Sequence, residues 1–282
     1  MAKAVIREAV QALFLPRLFV VLAFLAAGLA FTSSSAHAGG TQARQIMEKV
    51  DARDDGDNKV WDMVMILIDA NGNQRIRKAH ALSKDRGKDT LRLMFFIEPA
   101  DVKNTAFLTY DYDTADRDDD QWLYLPALHK TKRIAASQKS NSFMGSDFSY
   151  ADLTKSRLDD YDYTLVKEVT VGDAETWVIQ CVPRTERVIE EYGYTKSLIC
   201  VRKDNFVIVR AIHWLKKKNH LKYMDVKKLE VIDGIWVATE IHMATQKSGR
   251  TVHSTIMKNE KVRFNQDVQE SWFTVRRMEK GM

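Results

Sequence analysis

What this chain lacks narrows what it can do. It has four prolines, and no Ser/Gly-rich linker interrupts it beyond the first forty residues, so the roughly 240 residues that follow read as one large domain. Two cysteines allow one disulfide at most. Seven histidines are scattered, none standing with a carboxylate at metal-ligand spacing on a helix, so no metal and no cofactor is expected. There is no G-x-S-x-G elbow, no phosphate-cradling glycine loop and no H-E-x-x-H. The acid pairs Asp159-Asp160 and Glu190-Glu191 have no apolar pocket that the sequence reveals. No catalytic residue emerges, and an enzyme is not the expected class. The formal charge is +5, with bases scattered among acids rather than gathered in a stripe, which argues against a nucleic-acid partner.

One long apolar run exists, at the N-terminus. Leu18 to Phe31 is an unbroken stretch of 14 residues, preceded by Lys3, Arg7 and Arg17 and followed by Ala36-His37-Ala38 and Gly39. That order is the order of a cleavable secretory signal, cut between Ala38 and Gly39. A membrane-spanning helix needs about 20 apolar residues, and no cysteine near the cut invites lipidation. The expected division is a signal peptide over residues 1–38 and a single domain over residues 39–282. The product is expected to be soluble, exported, not itself lipidated, and periplasmic in a Gram-negative cell.

After the signal, Thr41 stands as an N-cap, and Ala43, Ile46, Met47 and Val50 recur at helical spacing. The acidic patch Asp51 to Asn58 ends that helix. From Val60 the pattern turns to strands with short turns. Trp61 to Asp69 is apolar almost throughout, Asn71-Gly72 marks a hairpin, and Leu91, Leu93, Phe95 and Ile97 alternate along one face. A strand runs from Gln121 to Ile134, and the last is drawn at Trp272 to Met278. About eleven strands joined in sequence describe an antiparallel meander, which must curl as twist accumulates.

One segment fits no strand. Ser142 to Tyr150 places three large aromatics and a methionine in a loop rich in Gly and Ser, and so much exposed apolar surface would be unusual. The loop must cover something. The expected fold is therefore mainly β: an antiparallel curved half-barrel of about eleven strands, with a short N-terminal helix and a helix/loop lid over the concave face. A lid held only by apolar contacts can move aside. The candidate lid residues are Phe143, Met144, Phe148 and Leu153. The candidate wall residues are Leu91, Leu93, Phe95, Ile97, Leu123 and Leu125 from the first half of the sheet, and Ile235, Val237, Ile241 and Met243 from the second.

Other features carry a sharper and a blander reading. Cys181 and Cys200 sit in successive strands on an oxidising route; opposite one another they form a structural disulfide, otherwise they are two buried thiols. The acidic run Asp111 to Asp120 lacks the glycine and terminal glutamate of a calcium loop and reads as a solvated hairpin tip. His242 and His253 would face each other if their hairpin register allowed. Lys216-Lys217-Lys218 reads as a solvated turn, or as a docking point for anionic headgroups.

Three stretches resemble one family. Pro99-Ala100-Asp101-Val102-Lys103-Asn104-Thr105-Ala106-Phe107-Leu108 is similar to the P-x-D-x-K-G-T-x-F-L segment of LolA-like periplasmic outer-membrane lipoprotein-sorting proteins, with Asn104 where glycine is usual. Trp122 to Leu128 and Ser142 to Phe148 resemble the rest of that signature. The resemblance implies a LolA/LolB-type fold whose hydrophobic cavity carries a lipid or the acyl chains of a lipoprotein towards the outer membrane. It also implies an inner-membrane transporter of the resistance-nodulation-division type as a partner, transient membrane contact and a monomeric chaperone-like carrier. The competing class is an adaptor that docks on such a transporter and carries no lipid.

Overall fold

The computed structural model describes residues 35–114 and 117–281; the apolar run of the expected signal lies outside them. Helix α1 (Ser35–Asp51) leads into five strands, β1 (Asn58–Asp69), β2 (Gln74–Arg86), β3 (Asp89–Glu98), β4 (Ala106–Asp111) and β5 (Asp120–Leu125), then a short β6 (Lys130–Arg133). After a long connection come β7 (Tyr161–Val171), β8 (Ala174–Pro183), helix α2 (Glu186–Tyr192), β9 (Tyr194–Arg202), β10 (Ile208–Leu215), β11 (His220–Ile232), β12 (Ile235–Lys247), β13 (Arg250–Phe264) and helix α3 (Val275–Lys280). Residues Ala36–Met282 form one compact unit.

All thirteen strands belong to one open, curved antiparallel sheet, in the order β6-β5-β4-β3-β2-β1-β13-β12-β11-β10-β9-β8-β7. Two meanders are thus joined by one long-range pair, β1 against β13. The stretch expected as a single strand from Gln121 to Ile134 divides at Pro126, which has no N–H for a ladder and instead starts a 3₁₀ turn ending at His129 in the left-handed region (φ 45°). That division yields β5 and β6. Asn104, the departure from the family's glycine, also sits at φ 64°, a conformation that asparagine tolerates better than most residues.

Strand order dictates the lid. The chain leaves the sheet at one edge, β6, and re-enters at the opposite edge, β7, so residues 134–160 must cross a face of the sheet. They do so as a strap of four short 3₁₀ turns, Ala136–Gln138, Phe143–Gly145, Ala151–Leu153 and Leu158–Asp160. Met144 and Gly145 both take positive φ (51° and 76°), which folds the aromatic loop back on itself. Beside the strap, α1 lays Ala43, Ile46 and Met47 on Tyr163, Ile179 and Ile199 of the β7–β9 half. The described helix runs from Ser35 to Asp51, so Thr41 is an internal helical residue and not the N-cap that its position suggests.

The opposite face of β2–β4 is also covered. Trp272 to Met278, expected as a strand, is a 3₁₀ turn followed by α3. Thr274 caps α3 by accepting the Arg277 N–H at 3.1 Å, and Val268, Phe273 and Met278 pack on Leu82, Leu91, Leu93 and Phe95. Register matters once more at Lys261 (φ 50°), where β13 slips by one residue against β1. The bulge keeps Val262 and Phe264 on the side that Met257 faces, despite their odd spacing from it.

Candidate functional site

The concave face is where the strap, α1 and the sheet meet. Phe143 is fully buried there, its ring 5.1 Å from Phe107 and 5.5 Å from Tyr150 between centroids. Phe148 is buried beside it, and Met144, Leu153 and Leu125 lie half-buried against the same group. All four lid candidates thus pack into one apolar cluster with the sheet. The strap is not held by apolar contacts alone, however. The Asp147 carboxylate, buried, accepts from Thr245 Oγ1 at 2.5 Å and Thr255 Oγ1 at 2.7 Å, and lies 2.6 Å from His253 Nδ1. Its backbone N–H donates to Thr255 Oγ1 at 2.9 Å. Arg77 of β2 donates to the Met144 carbonyl, and Gln121 Nε2 donates to the Tyr150 carbonyl at 3.0 Å. The expectation of a loosely held lid is corrected: the aromatic loop is bolted to β12 and β13 through an aspartate.

Two of the cavities beneath these covers have chiefly apolar walls. The smaller, about 180 Å³, is lined by Trp61, Met63, Ala81, Met94, Phe107, Leu153, Val237, Met257 and Val262, with Lys59, Arg92, Thr109 and Asn259 as its polar members. The larger, about 430 Å³, lies under α1 and takes its walls from Met47, Val50, Phe148, Tyr161, Tyr163, Ile199, Phe206, Met224, Ile241 and Met243 among others. Residues 148–154 contribute to both. Six methionines line these walls. Unbranched, polarizable side chains fill irregular gaps and re-pack readily, so the surface suits a flexible apolar guest.

The wall candidates divide. Leu123 and Met243 are buried in the concave core, with Leu125 and Ile241 against it; Ile235 and Val237 join Val262 and Phe264 at one end of it. Leu91, Leu93 and Phe95 do not belong there. They face the other way, under α3, although Leu93 also borders the smaller cavity. Ile97 is half-buried near the strand end. The inward residues of β3 are Met94 and Phe96, because Met94 pairs with Ala81 and Leu93 with Leu82, and only Ala81 looks inward.

Several isolated expectations are also corrected. Cys181 lies opposite Ser197 and Cys200 opposite Val178, so the two are three residues out of register and on opposite faces of the sheet. Both are free thiols, and burial pushes the Cys181 thiol up to about 12, which keeps it protonated and unreactive. His253 pairs with Thr245, and His242 with Ile256, so the two histidines do not face each other. The acidic run is not simply a solvated tip. Asp111 is buried and takes the Arg92 guanidinium at 2.7 Å. Asp119, also buried, accepts the Tyr112 N–H at 3.0 Å. Lys216 is held by Glu186 and Glu190 of α2, which leaves Lys217 and Lys218 exposed.

The larger cavity has one polar wall that sequence reasoning missed. Tyr194 donates its hydroxyl to Asp152 at 2.8 Å, the Lys222 ammonium lies 3.7 Å from the same carboxylate, and His213 stacks on the Tyr194 ring at 4.4 Å. His213 Nδ1 is 2.8 Å from Ser197 Oγ. Burial lowers the imidazole from its ordinary 6.5 to about 4, so the folded protein holds it neutral where the unfolded chain would protonate it. Acid between those two values therefore favours unfolding. We expect stability in urea to fall as pH drops from about 6.5 to about 4 and expect His213→Gln to flatten that fall. An unchanged slope in the variant would show that His213 does not set it.

No helix among the described residues is long and apolar enough to cross a membrane. No curated protein matches the sequence. A family model described as an uncharacterized protein matches residues 88–280, from the start of β3 to α3. Among solved structures, an outer-membrane lipoprotein-sorting protein domain from Vibrio parahaemolyticus is 28% identical over 85% of this chain and 99% of its own, with a TM-score of 0.76. A DUF1329 family protein from Desulfovibrio piger is likewise 28% identical, with the same coverage and a TM-score of 0.78. A LolA superfamily protein from Nitrosomonas europaea, 20% identical, shares the fold over 83% of this chain and 98% of its own, with a TM-score of 0.63. With these matches added to the strapped half-barrel and its apolar cavities, the chain belongs to the family of that model, and its structural neighbours are LolA-superfamily and outer-membrane lipoprotein-sorting domain proteins.

Proposed function

We propose that this protein is a periplasmic, non-enzymatic carrier. It binds a lipid, or the acyl chains of a lipoprotein, in the concave face and hands it on towards the outer membrane. Residues 1–38 would be its export signal and residues 39–282 the mature single domain. The observation that carries the proposal is the pair of methionine-rich apolar cavities, about 180 and 430 Å³, roofed by the strap and α1. Each methylene taken out of water is worth about 0.8 kcal/mol, so a partly buried acyl chain binds without polar recognition and leaves without a bond being broken. The strap is bolted through Asp147, whereas α1 meets the sheet over the larger cavity chiefly through apolar side chains. Entry by displacement of α1 is therefore the cheaper route.

The test is extraction of the purified protein with organic solvent and mass spectrometry of the extract. Near-stoichiometric co-purified lipid, and uptake of a fluorescent fatty acid once it is stripped, are the expected results. A clean extract together with no uptake would overturn the carrier reading and leave a protein-docking role in its place.

A further inference from the structure

We propose that the smaller cavity selects an amphiphile with a negatively charged head, a carboxylate or a phosphate, and that the Lys59 ammonium is the group that meets it. The proposal rests on the carrier reading and narrows its cargo.

Along β1, Lys59, Trp61 and Met63 are successive residues on the concave side and all line this cavity. The Lys59 ammonium lies 4.6 Å from the centre of the Trp61 ring, in cation–π contact but with no carboxylate. Three other cations of this region have partners of their own. Arg92 takes Asp111 at 2.7 Å, Arg53 donates to the Trp236 carbonyl at 2.9 Å, and Lys155 lies 3.4 Å from Asp55. Asp55 and Asp85 are the acids that act on Lys59 from a distance. Asp55 is engaged with Lys155, and Asp85 accepts from Thr90 at 3.1 Å. Among the described residues, no acid comes within ion-pair distance of Lys59.

A half-buried cation without a counter-charge is costly, and its attraction for an anion is little weakened by water. Burial, and then the charge of Arg92, push the Lys59 ammonium down to about 8, which still leaves it mostly charged at neutral pH. Arg92, Thr109 and Asn259 also border the space, and the rest of its wall, with Trp61, Met63, Met94, Phe107, Met257 and Val262, is apolar. One end of the space thus asks for an anion and the rest for hydrocarbon, and a single-chain anionic amphiphile supplies both. Its head would sit by Lys59, with its chain running along β1 past Met63.

The experiment uses the full chain, stripped of lipid, and measures Kd for four probes: a fluorescent long-chain fatty acid, its methyl ester, dodecyl phosphate and inorganic phosphate. The wild type should bind the fatty acid or dodecyl phosphate about tenfold or more tighter than the ester, the worth of one charge-assisted hydrogen bond. Lys59→Met keeps the apolar stem and should lose that preference while binding the ester as before, which also shows that it is folded. Lys59→Arg should keep the preference. The tighter of fatty acid and dodecyl phosphate names the head, and tight binding of inorganic phosphate alone would overturn the amphiphile. Equal binding of acid and ester, or equal loss of both in Lys59→Met, overturns this inference and leaves the carrier reading standing. If no probe binds, both fall.

Discussion

Replacing Phe143 with alanine lowers the unfolding free energy by about 3–5 kcal/mol, the usual cost of emptying a buried aromatic site. The ring is fully buried and is packed on three others, Phe96, Phe107 and Tyr150, at centroid distances of 6.0, 5.1 and 5.5 Å. At this chain length the loss corresponds to a fall in Tm of about 10 °C, readable by thermal or urea denaturation. Phe143→Leu, which refills most of the volume, should lose much less. The contrast decides how the strap behaves. A wild-type-like alanine variant would mean that the aromatic loop contributes little to the core and swings freely. The expected large loss means that opening this part of the strap amounts to partial unfolding.

The second large effect lies behind the strap, at Glu191. Its carboxylate takes the ammonium of Lys139 at 2.6 Å, and Lys139 is 1% exposed. Glu191→Leu leaves that ammonium buried with only Asp119, 3.8 Å away, and Asp119 is itself pushed up to about 6 by burial and by the charge of Asp111. Breaking a buried pair by removing one partner costs about 3–5 kcal/mol; the residual Asp119 contact points to the lower part of that range. Lys139→Met added to Glu191→Leu should recover most of the loss, because the stranded charge is then gone. Urea titrations of the single and double variants test both statements, and a neutral single variant would show that the pair does not contribute.

The fold was legible in this chain where neighbouring strands are joined by short turns, because period-two patterning and turn residues are local signals. The lid was legible for a related reason: Phe143, Met144 and Phe148 are too apolar for an exposed loop, whatever lies under them. Legibility ended where two faces of one strand are equally apolar. In β3, Leu91, Leu93 and Phe95 alternate as well as Met94 and Phe96 do, and both sets are buried. The helix α3 decides which set is outward, and the sequence pattern of Trp272 to Met278 reads as a strand. Its signal was present in Thr274 followed by apolar Val275 and Met278 at helical spacing. Cys181 and Cys200 failed for want of register: α2 intervenes between β8 and β9, so sequence spacing could not say that Cys181 meets Ser197. The polar sites at Asp147, Asp152 and Glu191 join groups as many as 108 residues apart, and no local pattern announces such a contact.

An open sheet has a cost that a closed barrel escapes, since its outermost strands present unpaired backbone groups on which another chain can build. Here both borders are made poor templates. β6 is four residues long and reads Lys130-Thr131-Lys132-Arg133, so a strand added there would have to bring its own side chains alongside three bases. At the far border, β7 is broken by a bulge between Leu165 and Lys167 and exposes Asp162, Thr164, Lys167 and Glu168, which spoils a straight, neutral edge. The basic run after Pro126 is therefore expected to have a task that needs no ligand, disfavouring edge-to-edge addition of a second molecule. Substituting those bases with threonine or valine would remove that protection while leaving the cavities untouched.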